Sequence, residues 1–472
     1  MKRSNFRGAK ERRKDGSDMD RQQEKQPVSV STTTQQTGKI LELSARRYRW
    51  LWVEPTVWTD RMLTALETGL EGNVWFRLFD KVFSPMNLES SFSQVAKNKG
   101  SAGIDNVSIQ MFEYHLITHL PRLSEDLRQD KYVPKPIKRV YIPKPGSDQK
   151  RPLGIPTVRD RVVQTALRNV IEPIFEATFA EHSYGFRPKR CCKDALRQVD
   201  QLLKKGYRYV VDADLKSYFD TIPHDKLMER VRERIADGRV LKLIQSFLNQ
   251  DIMEDMKQWK PTTGSPQGAV ISPLLSNIYL NPLDHLMESF GFEMVRYADD
   301  FVILCQSMED AEAALNVVKQ WTAQAGLTLH PEKTKIADAG TEGFEFLGYR
   351  FIKGQRWPRS KSDQKLKETV RQRTRRCNGE SLEQIIANLN PVLRGWFNYF
   401  KHCERFTFQR LDGWIRMRLR SILRKRQNRK GRGRGKDHHR WPNLFFAKQG
   451  LYSTLKAHVE ACQPATRKPS TG

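Results

Sequence analysis

The run Met294–Cys305, MVRYADDFVILC, limits what this chain can fold into more than any other stretch. Apolar residues enter, two aspartates stand side by side, and apolar residues leave, which reads as a β-hairpin with carboxylates at its tip. Two-residue tips favour Asn-Gly or Asp-Gly because the turn demands positive φ, and no glycine is present here. A second acidic strand end occurs in VVDADLKSYFDTI, where Asp212 and Asp214 share a strand face and Asp214 closes the apolar run. If the two strands are neighbours, Asp214 meets Asp299 and Asp300. Three carboxylates that close repel and take up protons unless cations lie between them. Hard divalent ions such as Mg²⁺ take oxygen ligands and keep positions for phosphate oxygens, and a pair of them forms the clamp for in-line attack on phosphorus. Read alone, Asp-Asp is more often a solvated turn. Adjacent strand residues also point apart, so Asp299 and Asp300 need not be equal ligands.

Charge narrows the partners. The 472 residues carry a net charge of +28, which makes polyanions the first candidates and anionic membrane surfaces the second. No apolar run approaches a membrane span. The opening MKRSNFRGAKERRKDGSDMDRQQEKQ has no hydrophobic stretch for a secretory signal, and its acidic residues argue against an organellar transit peptide. Six cysteines without a CxxC pair argue against a zinc site or a disulfide framework and for a reduced, intracellular protein.

The expected organisation is a disordered basic and polar tail over 1–40, a helical extension over 41–89, a mixed α+β region over 90–360, a helical region over 365–425 and a basic tail over 426–472. In VRDRVVQTALRNVIEPIF, Val162, Val163, Ala166, Leu167, Val170, Ile171 and Ile174 mark one face of a helix. Residues 371–440 hold 20 Lys/Arg against 5 Asp/Glu, so +15 of the surplus lies there. Arg416, Arg420 and Arg424 recur every four residues, and Phe408, Leu411, Ile415, Leu419 and Ile422 form the apolar face of the same helix. Trp396, Tyr399, Trp414 and Trp441 are interleaved, and basic residues with aromatics suit RNA phosphates and unstacked bases.

YADD resembles the YxDD motif of reverse transcriptases, and DADLKSYFD resembles their motif A. Further blocks follow the order of one family: NKGSAGIDNVS (98–108), RVYIPKPGSDQKRPLGIPTVRDRVVQTAL, EHSYGFRPKRCCKDAL, TTGSPQGAVISPLLSNIYL, LTLHPEKTKI, FEFLGYRF, and LNPVLRGWFNYF with LDGWIRMRLRSIL. Over roughly residues 90–425 the chain resembles bacterial group II intron-encoded reverse transcriptase/maturases. The resemblance implies an α+β right-hand polymerase, with fingers and an antiparallel palm sheet at 90–360 and an α-helical thumb, or maturase domain, at 365–425. It implies RNA-directed DNA synthesis with two Mg²⁺ ions. The implied partners are dNTPs, an RNA template with a DNA primer, target DNA and the parent group II intron RNA, with no membrane, in the bacterial cytoplasm near the nucleoid.

Carried over residue by residue, the resemblance makes Asp214, Asp299 and Asp300 catalytic, with the Leu215 carbonyl as a further metal ligand. Asp212 and Asp220 are expected to be strand-end structure and a cap or salt bridge. Lys144 and Arg151 match the cations that hold the triphosphate, on two arms of a hairpin whose tip is PGSD. Phe219 matches the steric-gate ring that clashes with a ribose 2′-OH. Gln267 and Gly268 match residues at the incoming nucleotide. Tyr297, Ala298, Lys333, Leu347 and Gly348 fall near the primer end, and Arg416, Arg420 and Arg424 are expected to bind RNA. One departure concerns the C-terminal zinc-bearing HNH endonuclease of many relatives, whose paired CxxC motifs are not seen. Endonuclease activity is therefore not expected, and a primer made elsewhere, as at a replication fork, would serve mobility. A splicing-only maturase with a dead polymerase site and a domesticated defence or CRISPR-associated reverse transcriptase are the alternatives.

Overall fold

A computed structural model of the chain describes residues 49–69, 74–143, 150–255, 257–377, 379–431, 433 and 435–462. The tail expected to be disordered, 1–40, lies outside these residues, and so does Lys144. Arg49–Trp52 belong to a unit that ends at Trp52, where the Arg49 guanidinium lies 5.1 Å from the Trp50 ring centroid.

From Val53 onward, helices α1 (Asp60–Thr68), α2 (Phe79–Val82), α3 (Pro85–Lys97), α4 (Ile109–Tyr114) and α5 (Leu116–Arg128) precede the first sheet. That sheet joins β1 (Ile137–Pro143), β2 (Lys150–Ile155), β4 (Ile252–Glu254) and β5 (Lys257–Trp259) in the order β2-β1-β4-β5. The expected PGSD hairpin has its two arms in β1 and β2, which are antiparallel with Ile142 opposite Arg151.

Helix α6 (Val158–Glu176) departs from the one-face expectation, because Arg161, Gln164, Thr165 and Asn169 are buried along with its apolar positions. Neighbours take up part of this polarity. Asn169 Nδ2 donates to Asn87 Oδ1 at 3.0 Å, and the Val270 backbone N–H donates to Gln164 Oε1 at 2.8 Å, while Arg161 Nε and Gln164 Nε2 are buried with no hydrogen-bond partner among the described residues, a polar cost the helix carries in the interior.

The central sheet is antiparallel, order β6-β7-β3-β8, from β3 (Tyr209–Asp214), β6 (Glu293–Tyr297), β7 (Asp300–Cys305) and β8 (Lys335–Asp338). Helices α7 (Cys192–Lys204), α11 (Ser272–Ser289) and α12 (Met308–Gln324) pack on it, while α8 (Tyr218–Thr221), α9 (His224–Arg232) and α10 (Gly238–Leu248) follow β3. A third sheet, β9 (Phe344–Phe346), β10 (Tyr349–Ile352) and β11 (Gln355–Pro358), leads into the helical part.

That part comprises α13 (Ser360–Arg373), α14 (Leu382–Phe400), α15 (Arg405–Arg426), α16 (Lys436–Arg440), α17 (Asn443–Lys448) and α18 (Thr454–Cys462). The segment expected as a basic tail folds back instead. Trp441 and Phe446 enter a core with Leu389, Leu393, Leu411, Ile415 and Leu419, and a fully buried aromatic of this kind stabilises by about 1.5–3 kcal/mol. Buried Asp412 of α15 fixes the start of α18, accepting from Thr454 Oγ1 at 2.7 Å and from Ser453 Oγ at 2.6 Å. Among the described residues, no helix is long and apolar enough to cross a membrane.

Candidate active site and nucleic-acid interface

Register brings the carboxylates together. Strands β3 and β7 pair so that Asp214, the last residue of one, lies opposite Asp300, the first residue of the other, while Asp299 sits in the two-residue turn between β6 and β7. The turn solves its missing glycine by placing Ala298 at φ +61°, a conformation that costs a non-glycine residue about 1–3 kcal/mol unless its surroundings impose it.

The surroundings do impose it. Arg296, fully buried within β6, forms an ion pair with buried Asp284 of α11, with Nε donating to Oδ1 at 2.7 Å. Its Nη1 donates to the Ala298 carbonyl and to Asn277 Oδ1, each at 2.9 Å. From the other side Gly185 leaves no room: a Cβ there would lie 2.1 Å from the Ala298 nitrogen. Sequence reading missed this support. Its signal is an arginine inside an otherwise apolar strand run, which demands a buried partner.

The electrostatics match crowded acids. Asp300 as a residue is exposed at the head of β7, but desolvation of its carboxyl, then the charges of Asp212, Asp299 and Asp214, push that group up to about 7, with the Leu347 backbone N–H working the other way. Burial and then Asp214 also raise Asp299, against Arg151 and Arg296. Asp212, expected as strand-end structure, pairs across to Lys335; burial lifts it to about 6, with Lys335 opposing. The Lys333 ammonium hydrogen-bonds Asp214 Oδ2, a cation already lodged on the carboxylate cluster.

The donor types fit a hard divalent cation: three carboxylates that repel one another, and the carbonyl of Leu215 directly after Asp214. Among the described residues, no three His, Cys, Asp or Glu side chains form a ready-made cage. Mg²⁺ sites commonly have that character, with one or two carboxylates, waters and substrate phosphates.

The nucleotide-binding candidates flank this tip. Phe219, Asp220, Gly264 and Gln267 line a cavity of about 430 Å³ together with Arg139 and Trp259. Asp220, expected to be a cap or salt bridge, lines this cavity with Arg139, whose charge opposes the burial that raises its carboxyl. The Ser265 N–H donates to the Phe219 carbonyl at 2.7 Å. The loop holding Gln267 is pinned to β2, the Gly154 N–H donating to the Gln267 carbonyl at 2.6 Å. Gly268, at φ +107°, lies so near this strand that a Cβ would meet the Gly154 oxygen at 2.4 Å. Arg151 lies on the same strand and its charge reaches Asp299. Phe186, which sequence reading passed over, stands edge-on to Phe219 with centroids 6.5 Å apart and has a φ of +58°.

Leu347 and Gly348 form the two-residue turn between β9 and β10, at φ +46° and +81°, the double positive φ of a type I′ turn. The Tyr399 hydroxyl of α14 donates to the Leu347 carbonyl at 2.7 Å. Tyr297 is half-buried against the same aromatic cluster.

The arginine stripe requires correction. Arg420 is 2% exposed; it donates to the Trp441 carbonyl at 2.9 Å and to Asn443 Oδ1 at 2.8 Å. Arg424 donates to Asp437 Oδ2 at 2.7 Å and to the Lys430 carbonyl at 2.8 Å, and Arg416 lies 3.8 Å from Asp412. Arg420 and Arg424 thus tie α15 to the returning chain at Lys430, Asp437, Trp441 and Asn443, while Arg416 pairs within α15 itself. Trp396 and Trp441 likewise pack inward, Trp396 4.9 Å from Phe400 by centroid.

Comparisons with known proteins agree with this geometry. Residues 142–351 match the model of the reverse transcriptase (RNA-dependent DNA polymerase) family, and residues 363–441 match that of the group II intron maturase-specific domain. Protein YkfC of Escherichia coli K12 is 35% identical over 59% of this chain and 83% of its own length. Group II intron-encoded protein LtrA of Lactococcus lactis subsp. cremoris is 36% identical over 45% of this chain, a match that spans 35% of LtrA. A chain of a solved Cas6-RT-Cas1–Cas2 complex is similar at 25% identity over 54% of this chain and 43% of that one, with a TM-score of 0.35. Reverse transcriptases are nucleotidyltransferases that generally use divalent metal ions, and the pair of domains implies RNA and other nucleic acids as partners. This chain belongs to the group II intron-encoded reverse transcriptase/maturases, RNA-directed DNA polymerases with a second, splicing-related domain.

Proposed function

We propose that the chain extends a DNA primer along an RNA template from dNTPs at Asp214, Asp299 and Asp300, with two Mg²⁺ ions, and that its helical part holds the parent group II intron RNA during splicing and mobility at target DNA. The observation that carries the reading is the register of Asp214 against Asp300 beside the cavity of Phe219 and Gln267. The primer 3′-oxygen forms a bond to the α-phosphorus, the bond to the bridging oxygen breaks, and pyrophosphate leaves. Bound metal would lower the pKa of the primer hydroxyl and carry charge on the leaving oxygens.

The chain's own residues do the positioning. Asp214, Asp299, Asp300 and the Leu215 carbonyl would hold the ions, and Lys333 offsets the charge of Asp214 through their hydrogen bond. Arg151 grips the triphosphate as a planar fork, and Lys144 adds a point charge. Phe219 lies under the sugar, where a ribose 2′-OH would clash, and Gln267 and Gly268 bring side chain and backbone to the nucleotide. The Leu347–Gly348 turn, with Tyr297 and Ala298, sets the primer end.

The test is primer extension on an RNA template with Mg²⁺ and dNTPs, comparing the wild type with Asp214→Asn. cDNA from the wild type alone is expected. Equal cDNA from both would mean the active site lies elsewhere, and none from a folded, RNA-binding wild type would leave a splicing-only maturase.

A further inference from the structure

With Arg416, Arg420 and Arg424 paired within the protein, the basic surplus of the helical part needs another outlet. The face of α15 reached two residues away, about 200° round the helix, offers one. There Trp414, Met417 and Arg418 meet Arg371 and Arg376, at and beyond the end of α13, around a cavity of about 280 Å³. Arg418 is fixed in place: its Nε donates to Thr374 Oγ1 at 2.6 Å and its Nη2 to the Thr374 carbonyl at 3.0 Å. Two guanidinium groups approach the Trp414 ring, that of Arg418 at 5.5 Å and that of Arg371 at 5.8 Å from its centroid.

The charge there is one-sided. Among the described residues, no carboxylate lines the cavity, and after burial the influences on Arg418 are the like charges of Arg371 and Arg376. Arg371 and Arg376 are themselves exposed. The inward arginines of the same helix each meet a carboxylate or a fixed amide or carbonyl oxygen. Three guanidinium groups gathered without a counter-charge repel one another, and an anion entering the cavity relieves that repulsion. The volume suits one nucleotide-sized group, and an arginine plane braced by an aromatic is a surface on which an unstacked base settles.

We propose that this pocket binds one nucleotide of single-stranded RNA, its phosphate held by Arg371 and Arg376 and its base laid on the Arg418–Trp414 platform. The proposal rests on the reading that the helical part holds RNA, and it places that contact on the opposite face of α15 from the Arg416/Arg420/Arg424 stripe.

The test uses the full chain, a fluorescein-labelled oligouridine and an RNA duplex of equal length, with affinity read by anisotropy between about 50 and about 200 mM salt. Arg371→Gln/Arg376→Gln, on exposed positions that do not threaten folding, should weaken oligouridine binding and flatten the salt slope by about 0.7 for each phosphate no longer neutralised. Trp414→Ala should weaken it about 5- to 150-fold, the loss of one stacked base, and Trp414→Phe should restore most of that. The duplex should be much less sensitive to all of these changes. A double arginine variant with unchanged affinity and slope, in a chain whose wild type binds RNA, overturns the pocket and leaves the general RNA-binding reading standing. A duplex affected as strongly as oligouridine overturns the base platform. A wild type that binds no RNA brings down that reading and this proposal together.

Discussion

Arg296 and Asp284 form an ion pair with both side chains 0% exposed, and the same guanidinium holds the carbonyl of the turn residue Ala298. The pair therefore carries two separable loads, stability and the aim of Asp299. Arg296→Met leaves Asp284 charged in the interior and should cost about 3–5 kcal/mol, whereas Arg296→Met/Asp284→Leu should recover most of that loss. The double variant still has no donor for the Ala298 carbonyl, so primer-extension kcat should stay low after Tm has returned. Calorimetry and kcat measured on the same samples check this; full recovery of both would make the pair merely structural.

Gly185→Ala acts on the same turn from outside. The new Cβ would meet the backbone of Ala298 and Tyr297, at 2.1 Å and 2.7 Å, and backbone has no rotamer by which to yield. A displacement near 1 Å at a catalytic group costs on the order of 100-fold in rate. Primer-extension kcat should fall by about that factor while affinity for RNA is kept.

Phe219 lines the cavity, and on the proposed function it lies beneath the sugar. Phe219→Ala should let ribonucleotides in. Preference for dNTP over rNTP, read as the ratio of kcat/KM values, should fall about 100-fold, with dNTP incorporation less affected.

Glu172 on α6 supplies a pH signature away from the active site. Burial, with the charge of Glu176 adding and Arg168 opposing, pushes its carboxyl from 4.5 up to about 7. Between those values the folded chain keeps a proton that the unfolded chain releases, so stability falls as pH rises through that interval. Glu172→Gln removes the fall. Its Tm relative to wild type should rise between pH 5 and pH 8, by the equivalent of on the order of 2 kcal/mol; a constant difference would show that the proton is not retained.

The carboxylate tip was legible because its signal is local: apolar runs that stop at Asp214 and start again at Asp300 specify strand ends, and PGSD specifies a hairpin. The pairing of β3 with β7 bore out the first, and the pairing of β1 with β2 the second. What stayed hidden depends on distant chain. Arginines at four-residue spacing look solvated until Asp437, Trp441 and Asn443, 13 to 23 residues further on, fold back to meet them. The polar residues of α6 look like a wet face until Asn87 and Val270 arrive. Ala298 has no reason of its own for a positive φ; Arg296, two residues back, supplies one only because Asp284 and Asn277 hold its guanidinium, and Gly185 supplies another from a separate part of the chain.

Leu347 stands between Asp300 and Tyr399: its N–H faces the first and its carbonyl takes the hydroxyl of the second, while the Tyr349 hydroxyl returns a bond to the Tyr399 carbonyl. A helix of the splicing-related domain is thus joined through a single residue, Leu347, to Asp300 at the head of β7. The two halves are not cargo and carrier that evolution could trade freely. Severing them anywhere along this seam would strip Leu347 and Tyr349 of partners at once, so the joint constrains which domains this polymerase could ever be recombined with.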